Sequence, residues 1–242
     1  DLDGIDAVSR RQVSREIRVC GMKSYVRPRT PTRRHKDVAT RREFARREIR
    51  KNHRRLVFSD ESWLSCNEAT GRRQIAKSRK DVLAIERKSR WNLPCIMIWA
   101  AVGYNYKGPL VILPSKKTDD EQRCFRLDGK GYRRRCVSKI AHDLVRLNLT
   151  LVQDGARSHA AASTTAYLKR KHVAFVDNFP PYSPDLNMIE PIWHILAQKI
   201  GLHCPLTTDE LIEAAKVEWA ALPQCLINSY IDHFPKALRK CM

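Results

Sequence analysis

Two short apolar runs constrain this chain more than anything else in it: "RLVFSD" at 55–60 and "LTLVQD" at 149–154, each a strand-like segment closed by an aspartate. Around the second run the periodicity changes to that of helices. "RCVSKIAHDLVRLN" places Val137, Ile140, Leu144 and Leu147 on one face. "SHAAASTTAYLKRKH" reads as a further helix and "VAFVD" as a strand. Upstream, "PCIMIWAAVGYNYKGPLVIL" reads as two strands joined by a Gly/Asn turn, and "RRQIAKS" as a shorter strand. The segment 119–134 reads as a charged loop. A proline-rich stretch then leads to a helix from about 188 to 201, and "TTDELIEAAKVEWAAL" gives another, with Thr208 and Glu210 near its start. Strands first, then alternating helix and strand, then helices: this order predicts an α/β fold with a mixed sheet flanked by helices.

Charge narrows the partners. The net charge is +20 over 242 residues, an excess that marks a polyanion partner. Residues 1–55 alone hold 18 Lys and Arg against 7 Asp and Glu. Within them, "SRRQVSREIRVCG" (9–21) predicts a short helix capped by Ser9 and stopped by Gly21. Its apolar stripe is Val13, Ile17 and Cys20, and its other face presents Arg10, Arg11, Arg15 and Arg18. This suits the recognition helix of a helix-turn-helix, although an ordinary basic helix fits the same pattern. "MKSYVRPRTPTRR" (22–34) reads as an extended linker carrying Arg27, Arg29, Arg33 and Arg34 as further DNA-contacting candidates. Residues 35–55 read as a helix with a thin stripe of Val38, Phe44 and Ile49, its arginine faces turned to DNA phosphates. The longest apolar run, "CIMIWAAV", is too short to span a bilayer, so no membrane partner is expected. The opening residues lack a signal-peptide pattern. The eight cysteines form no CxxC pair, which predicts neither a structural zinc nor disulfides.

The acids carry the chemistry. Asp60 and Asp154 end apolar strands, where ligands of open α/β sheets gather. A third acid, Glu190, sits in "SPDLNMIEPIW" (183–193). Pro191 fits only where no intrahelical N–H bond is needed, so the helix must start near 187–189, with Glu190 in its first turn. There Glu190 could pair with Asn187 as a cap or serve as a metal ligand, and helix mechanics alone leaves both open. Three carboxylates would suit phosphoryl transfer on DNA, in which two Mg²⁺ or Mn²⁺ ions activate the attacking oxygen and stabilise the leaving one.

"VFSDESW", "QDGARSH" and "PPYSPDLNMIEPIW" closely resemble the three signature blocks of mariner-type (Tc/mariner) DDE transposases. The resemblance implies a ribonuclease H-like mixed five-stranded sheet and a metal triad of Asp60, Asp154 and Glu190. It also implies cut-and-paste transposition at TA dinucleotides by a homodimer holding two terminal inverted repeats, in the nucleus if the source is eukaryotic. The implied organisation is a helix-turn-helix remnant at 1–21, a basic linker and helix at 22–55 and the catalytic domain at 56–242. Segment 67–92 matches the place where relatives extend a loop to a partner subunit. Gly155, Arg157 and Met188 depart from the commonest residues of the blocks, but none is a metal ligand. His159 and Asn187 are candidates for orienting the triad. Trp63 and Trp193 are expected in the core. Glu61 is expected on the strand face opposite Asp60, and Asp185 in the proline-rich turn. A non-catalytic DNA-binding protein derived from a transposon, and a nuclease of the same fold without strand transfer, are the competing readings.

Overall fold

The computed structural model describes residues 35–65, 95–114 and 127–242. The helix expected at 9–21, the linker at 22–34, the strand expected at 72–78, segment 67–92 and the first half of loop 119–134 lie outside them. The described residues belong to one unit, Arg33–Met242.

The sheet is built from β1 (Leu56–Ser65), β2 (Cys95–Gly103), β3 (Tyr106–Lys107), β4 (Val111–Leu113), β5 (Thr150–Val152) and β6 (Ala174–Phe175). The order is β3-β2-β1-β5-β6, with β4 also on β2. β1 and β2 run antiparallel, whereas β1, β5 and β6 run parallel. Five strands were expected and six are present among the described residues, because β3 and β4 share one edge of β2. Gly108 and Pro109 separate them, and proline has no N–H to continue a ladder. The turn into β3 uses Asn105 at φ 54°, a backbone region that Asn tolerates. At the end of β2, a Cβ on Gly103 would lie 2.8 Å from the Leu56 carbonyl oxygen, so only glycine allows this approach to β1.

Alternation along the strands sends side chains to two cores. Leu56, Phe58, Leu64, Ile96, Ile98 and Val102 join one, and Val57, Trp99, Ala101 and Leu151 the other. The first core is covered by α1 (His35–Glu48), α5 (Glu190–Leu202), α6 (Thr208–Ala221) and α7 (Gln224–Arg239). The second is covered by α2 (Ser138–Arg146), by the π-helical turns Tyr132–Val137 before it, and by α4 (Ala162–Arg170) after the single turn of α3 (Arg157–Ala160).

Several expectations are corrected. α1 ends at Glu48 and packs as part of the folded unit: Phe44 and Ala45 are buried, while Val38 is exposed. Arg41, expected on a DNA-facing side, is buried and donates to both Asp185 oxygens at 2.9 and 2.6 Å. Asp185 thus ties the 3₁₀ turn Pro184–Leu186 to α1 besides shaping its own loop. The last part of the expected charged loop is helical, because the Asp128 side chain caps a turn at Gly131 N–H. Leu147 falls beyond the end of α2 and is exposed. The helix expected over 158–172 breaks at Ala161, whose ψ is 134°. Thr208 and Glu210 stand in the first turn of α6 as expected, and Thr207 caps it reciprocally with Glu210. α7 was not anticipated; Pro235 argues against a helix, but Ile227, Ile231, Phe234 and Leu238 recur at helical spacing and are buried. Trp193 is buried as expected, whereas Trp63 on β1 is 36% exposed. Among the described residues no helix is long and apolar enough to cross a membrane.

Candidate metal centre

The parallel pair β1–β5 sets the site. β5 pairs with β1 only from Leu56 to Phe58, while β2 pairs with β1 through Ser65. β1 therefore does not end at Asp60, as the sequence suggested. Asp60 lies mid-strand, two residues past its last pairing with β5, and Asp154 lies two residues past the end of β5. Both stand where the parallel pair opens at its carboxyl end.

Asp60 is held from two sides. Its Oδ1 accepts the Glu61 backbone N–H at 2.8 Å, and its Oδ2 accepts Asn187 Nδ2–H at 2.9 Å. Asn187 follows the 3₁₀ turn Pro184–Leu186 and donates its backbone N–H to the Pro184 carbonyl at 3.0 Å. It is buried, and its Oδ1 has no hydrogen-bond partner among the described residues. The capping pair with Glu190 does not form, because the Asn187 amide is turned to Asp60. The Asn187 carbonyl instead accepts the Glu190 N–H at 3.1 Å, and no side chain caps α5. Glu190 is the first residue of α5, just before Pro191, and is half-buried.

Asp154 is held through one oxygen. Its Oδ1 accepts the Ala156 N–H at 2.9 Å, forming an Asx turn, and His159 Nδ1–H at 2.6 Å. His159 is buried, and its Nε2 lies 3.2 Å from Glu61 Oε1. Tyr132 packs its ring 4.1 Å from the His159 ring and donates its hydroxyl to Gln153 at 2.9 Å. Gln153 in turn donates to the His159 carbonyl at 3.3 Å. Glu61 faces away from Asp60 as expected, but it is not a spare acid. Tyr132, Gln153 and Glu61 are site residues that the sequence reading missed; the alternation along β1 was the available signal for Glu61.

The electrostatics agree with the geometry. Burial, reinforced by the charges of Glu61, Asp154 and Glu190, pushes the Asp60 carboxyl up to about 8. Glu190 is raised by burial and by the charge of Asp154. Burial would also raise Asp154, but the hydrogen bond and charge of His159, with the Ala156 N–H, outweigh it and hold the carboxyl below its ordinary value. Burial lowers His159, yet its bonds to Asp154 and Glu61 prevail and bring it to about 10, so it is an imidazolium. Among the described residues neither Asp60 nor Glu190 is paired with a Lys or Arg. The carboxylates therefore act on one another: at Asp60 the repulsion and burial outweigh the Glu61 N–H, whereas at Asp154 the bonds from His159 and Ala156 prevail over burial.

A metal fits this arrangement by donor chemistry: hard oxygen ligands, an uncompensated negative charge, and an oxygen on each acid with remaining lone pairs. No three His, Cys, Asp or Glu side chains among the described residues gather into a single-ion cage. The acids of the implied triad influence one another electrostatically without forming such a cage. Ions of this kind keep several waters and need only one or two carboxylates each. The eight arginines Arg10, Arg11, Arg15, Arg18, Arg27, Arg29, Arg33 and Arg34 lie outside the described residues.

Residues 55–212 match the family model described as DDE superfamily endonuclease. The transposable element Tc3 transposase of Caenorhabditis elegans is 28% identical over 195 residues, covering 79% of this chain and 56% of that protein. The Tc1 transposase of the same organism is 31% identical over 84 residues, 35% of this chain and 30% of that protein. The chain thus spans little more than half the length of its Tc3 relative. Among solved structures, the Mos1 transposase paired-end complex with left transposon end superposes with a TM-score of 0.72 at 17% identity, covering 97% of this chain and 70% of that one. The Mos1 mariner catalytic domain gives 0.57 at 15% identity, covering 91% and 95%. These likenesses share the ribonuclease H-like fold, and related Mos1 structures carry Mg or Mn. With its matched segment holding all three acids, the chain belongs to the DDE superfamily endonucleases.

Proposed function

We propose that this chain cuts transposon ends and joins them to TA target sites, using Asp60, Asp154 and Glu190 to hold two Mg²⁺ or Mn²⁺ ions. One observation supports the reading: acids from distant stretches of sequence lie near enough, at the open end of β1 and β5, for the charges of Asp154 and Glu190 to raise Asp60 and that of Asp154 to raise Glu190. The bound ions would supply activation of the attacking oxygen and stabilisation of the leaving oxygen. The protein's part is placement. Asn187 fixes Asp60, His159 fixes Asp154, and Pro191 with the start of α5 fixes Glu190. The Mg- and Mn-containing Mos1 structures support the choice of metal, and the paired-end complexes support a homodimer holding two transposon ends.

The arginines at 10–34 would contact the terminal repeats, with 1–21 as a DNA-binding segment and a linker after it. The exposed Arg42 and Arg46 of α1, and Arg50 just after it, would add phosphate contacts. The catalytic unit then begins at α1 rather than at residue 56. A nuclear location follows from the substrate if the source is eukaryotic. The intact carboxylates and their supports weigh against the non-catalytic reading. The test is Mg²⁺- or Mn²⁺-dependent nicking of a transposon end, followed by joining to TA-containing DNA. Nicking lost in Asp154→Asn supports the enzyme; no nicking by wild type overturns it. Nicking without joining would assign a nuclease instead.

A further inference from the structure

β1 supports the candidate metal centre from both of its faces. Asp60 points to the side of Asn187, and the next residue, Glu61, points to the side of Tyr132 and His159. His159 lies between Glu61 and Asp154, with one carboxylate oxygen 2.6 Å from Nδ1 and another 3.2 Å from Nε2. A ring with a carboxylate oxygen at each nitrogen donates from both. The Tyr132 ring lies against one face of the imidazole, and Gln153 holds the His159 backbone. The Asp154 oxygen that receives His159 is also the one that receives the Ala156 N–H, so both constraints fall on Oδ1 and leave Oδ2 for other ligands.

We infer that Glu61 is a positioning residue of the metal site: acting through His159, it fixes the rotation of the Asp154 carboxylate and so presents Oδ2. The inference rests on the metal-site reading above. Without an acceptor at Glu61, the buried His159 Nε2–H loses its partner, and the ring turns or shifts to find another. The Asp154 carboxylate then turns with it, because a 2.6 Å charge-assisted bond couples the two. A ligand held through such an outer partner commonly loses about ten- to a hundredfold in metal affinity when the partner is removed.

The experiment is a Mn²⁺ titration followed by electron paramagnetic resonance on the 242-residue chain, with thermal melts run alongside. The variants are Glu61→Ala, Glu61→Gln, His159→Ala, the Glu61→Ala/His159→Ala double variant and Asp154→Asn. Glu61→Ala is expected to weaken Mn²⁺ binding by about ten- to a hundredfold. Glu61→Gln, which keeps an oxygen acceptor, should restore most of it. Allowing for the lost Glu61 charge, which Glu61→Gln measures by itself, the double variant should bind like His159→Ala alone, because the positioning effect runs through the imidazole. If Glu61→Ala does not melt cooperatively, Glu61→Leu, which fills the space without an acceptor, takes its place. Wild-type affinity in the folded acceptor-free variant, or additive losses in the double variant, overturns the inference and leaves the metal site standing. Wild-type binding no tighter than that of Asp154→Asn overturns the metal site itself.

Discussion

Replacing Asp60 by asparagine should stabilise the metal-free protein while destroying its metal site. The carboxyl titrates at about 8 instead of the ordinary 3.8, because burial and three neighbouring acids disfavour its charge. Folding at pH 7 therefore costs about 4 kcal/mol at this one group if the whole shift is realised, at about 1.36 kcal/mol per factor of ten. Relaxation and entering water reduce this, so a gain of about 1–3 kcal/mol is expected for Asp60→Asn. The amide is close in shape to the carboxylate, and a turn of the Asn187 side chain would bring its unpartnered Oδ1 to accept the new N–H. The sign is checkable. Native Asp60 binds its proton more tightly than the unfolded chain does, so wild-type stability falls as pH rises from about 4 to about 8. The advantage of the variant should accordingly be small near pH 4 and grow towards pH 8. Urea denaturation in EDTA across that range measures it, and Mn²⁺ should stabilise wild type but not the variant. An Asp60→Asn protein less stable than wild type at pH 7 in EDTA, or an advantage that does not change with pH, would refute the reasoning.

Two further substitutions probe the supports. Asn187→Ala removes the donor to Asp60 Oδ2 and should lower Mn²⁺ affinity by about ten- to a hundredfold with the fold retained, read by titration and melting. Lys107→Met removes an ammonium that donates to the carbonyls of Trp219, Ala220 and Leu222 at the end of α6, at 3.0, 3.0 and 2.8 Å. It should cost about 1–3 kcal/mol in urea denaturation and leave Mn²⁺ binding unchanged.

Much of this was written in local sequence, and the exceptions have physical causes. Asp60 and Asp154 were legible because each follows an apolar run of the parallel pair β1–β5, although β1 itself runs on past Asp60 to Ser65. Glu190 was legible because Pro191 confines the start of its helix, but cap and ligand could not be told apart until the Asn187 amide was seen bonded to Asp60. α7 was hidden by Pro235, whose local cost is outweighed by burying Ile227, Ile231 and Phe234 against the sheet. Arg41 looked like one more solvent-facing cation, and only the fold brings Asp185 to it from 144 residues away. Glu61 shows the limit most clearly. Strand alternation correctly turned it away from Asp60, but its partner comes from beyond β5, 98 residues on, and short-range patterning carries no trace of that meeting.

The central claim is that Asp60, Asp154 and Glu190 together hold divalent metal. Crystals of the protein grown with Mn²⁺ and measured for anomalous scattering test it most directly. The account predicts anomalous peaks at about 2.0–2.6 Å from carboxylate oxygens, with Asp60 and at least one of Asp154 and Glu190 as ligands and no peak in Asp154→Asn at the Asp154 position. Mn²⁺ bound elsewhere, with these three acids left without metal, would contradict it.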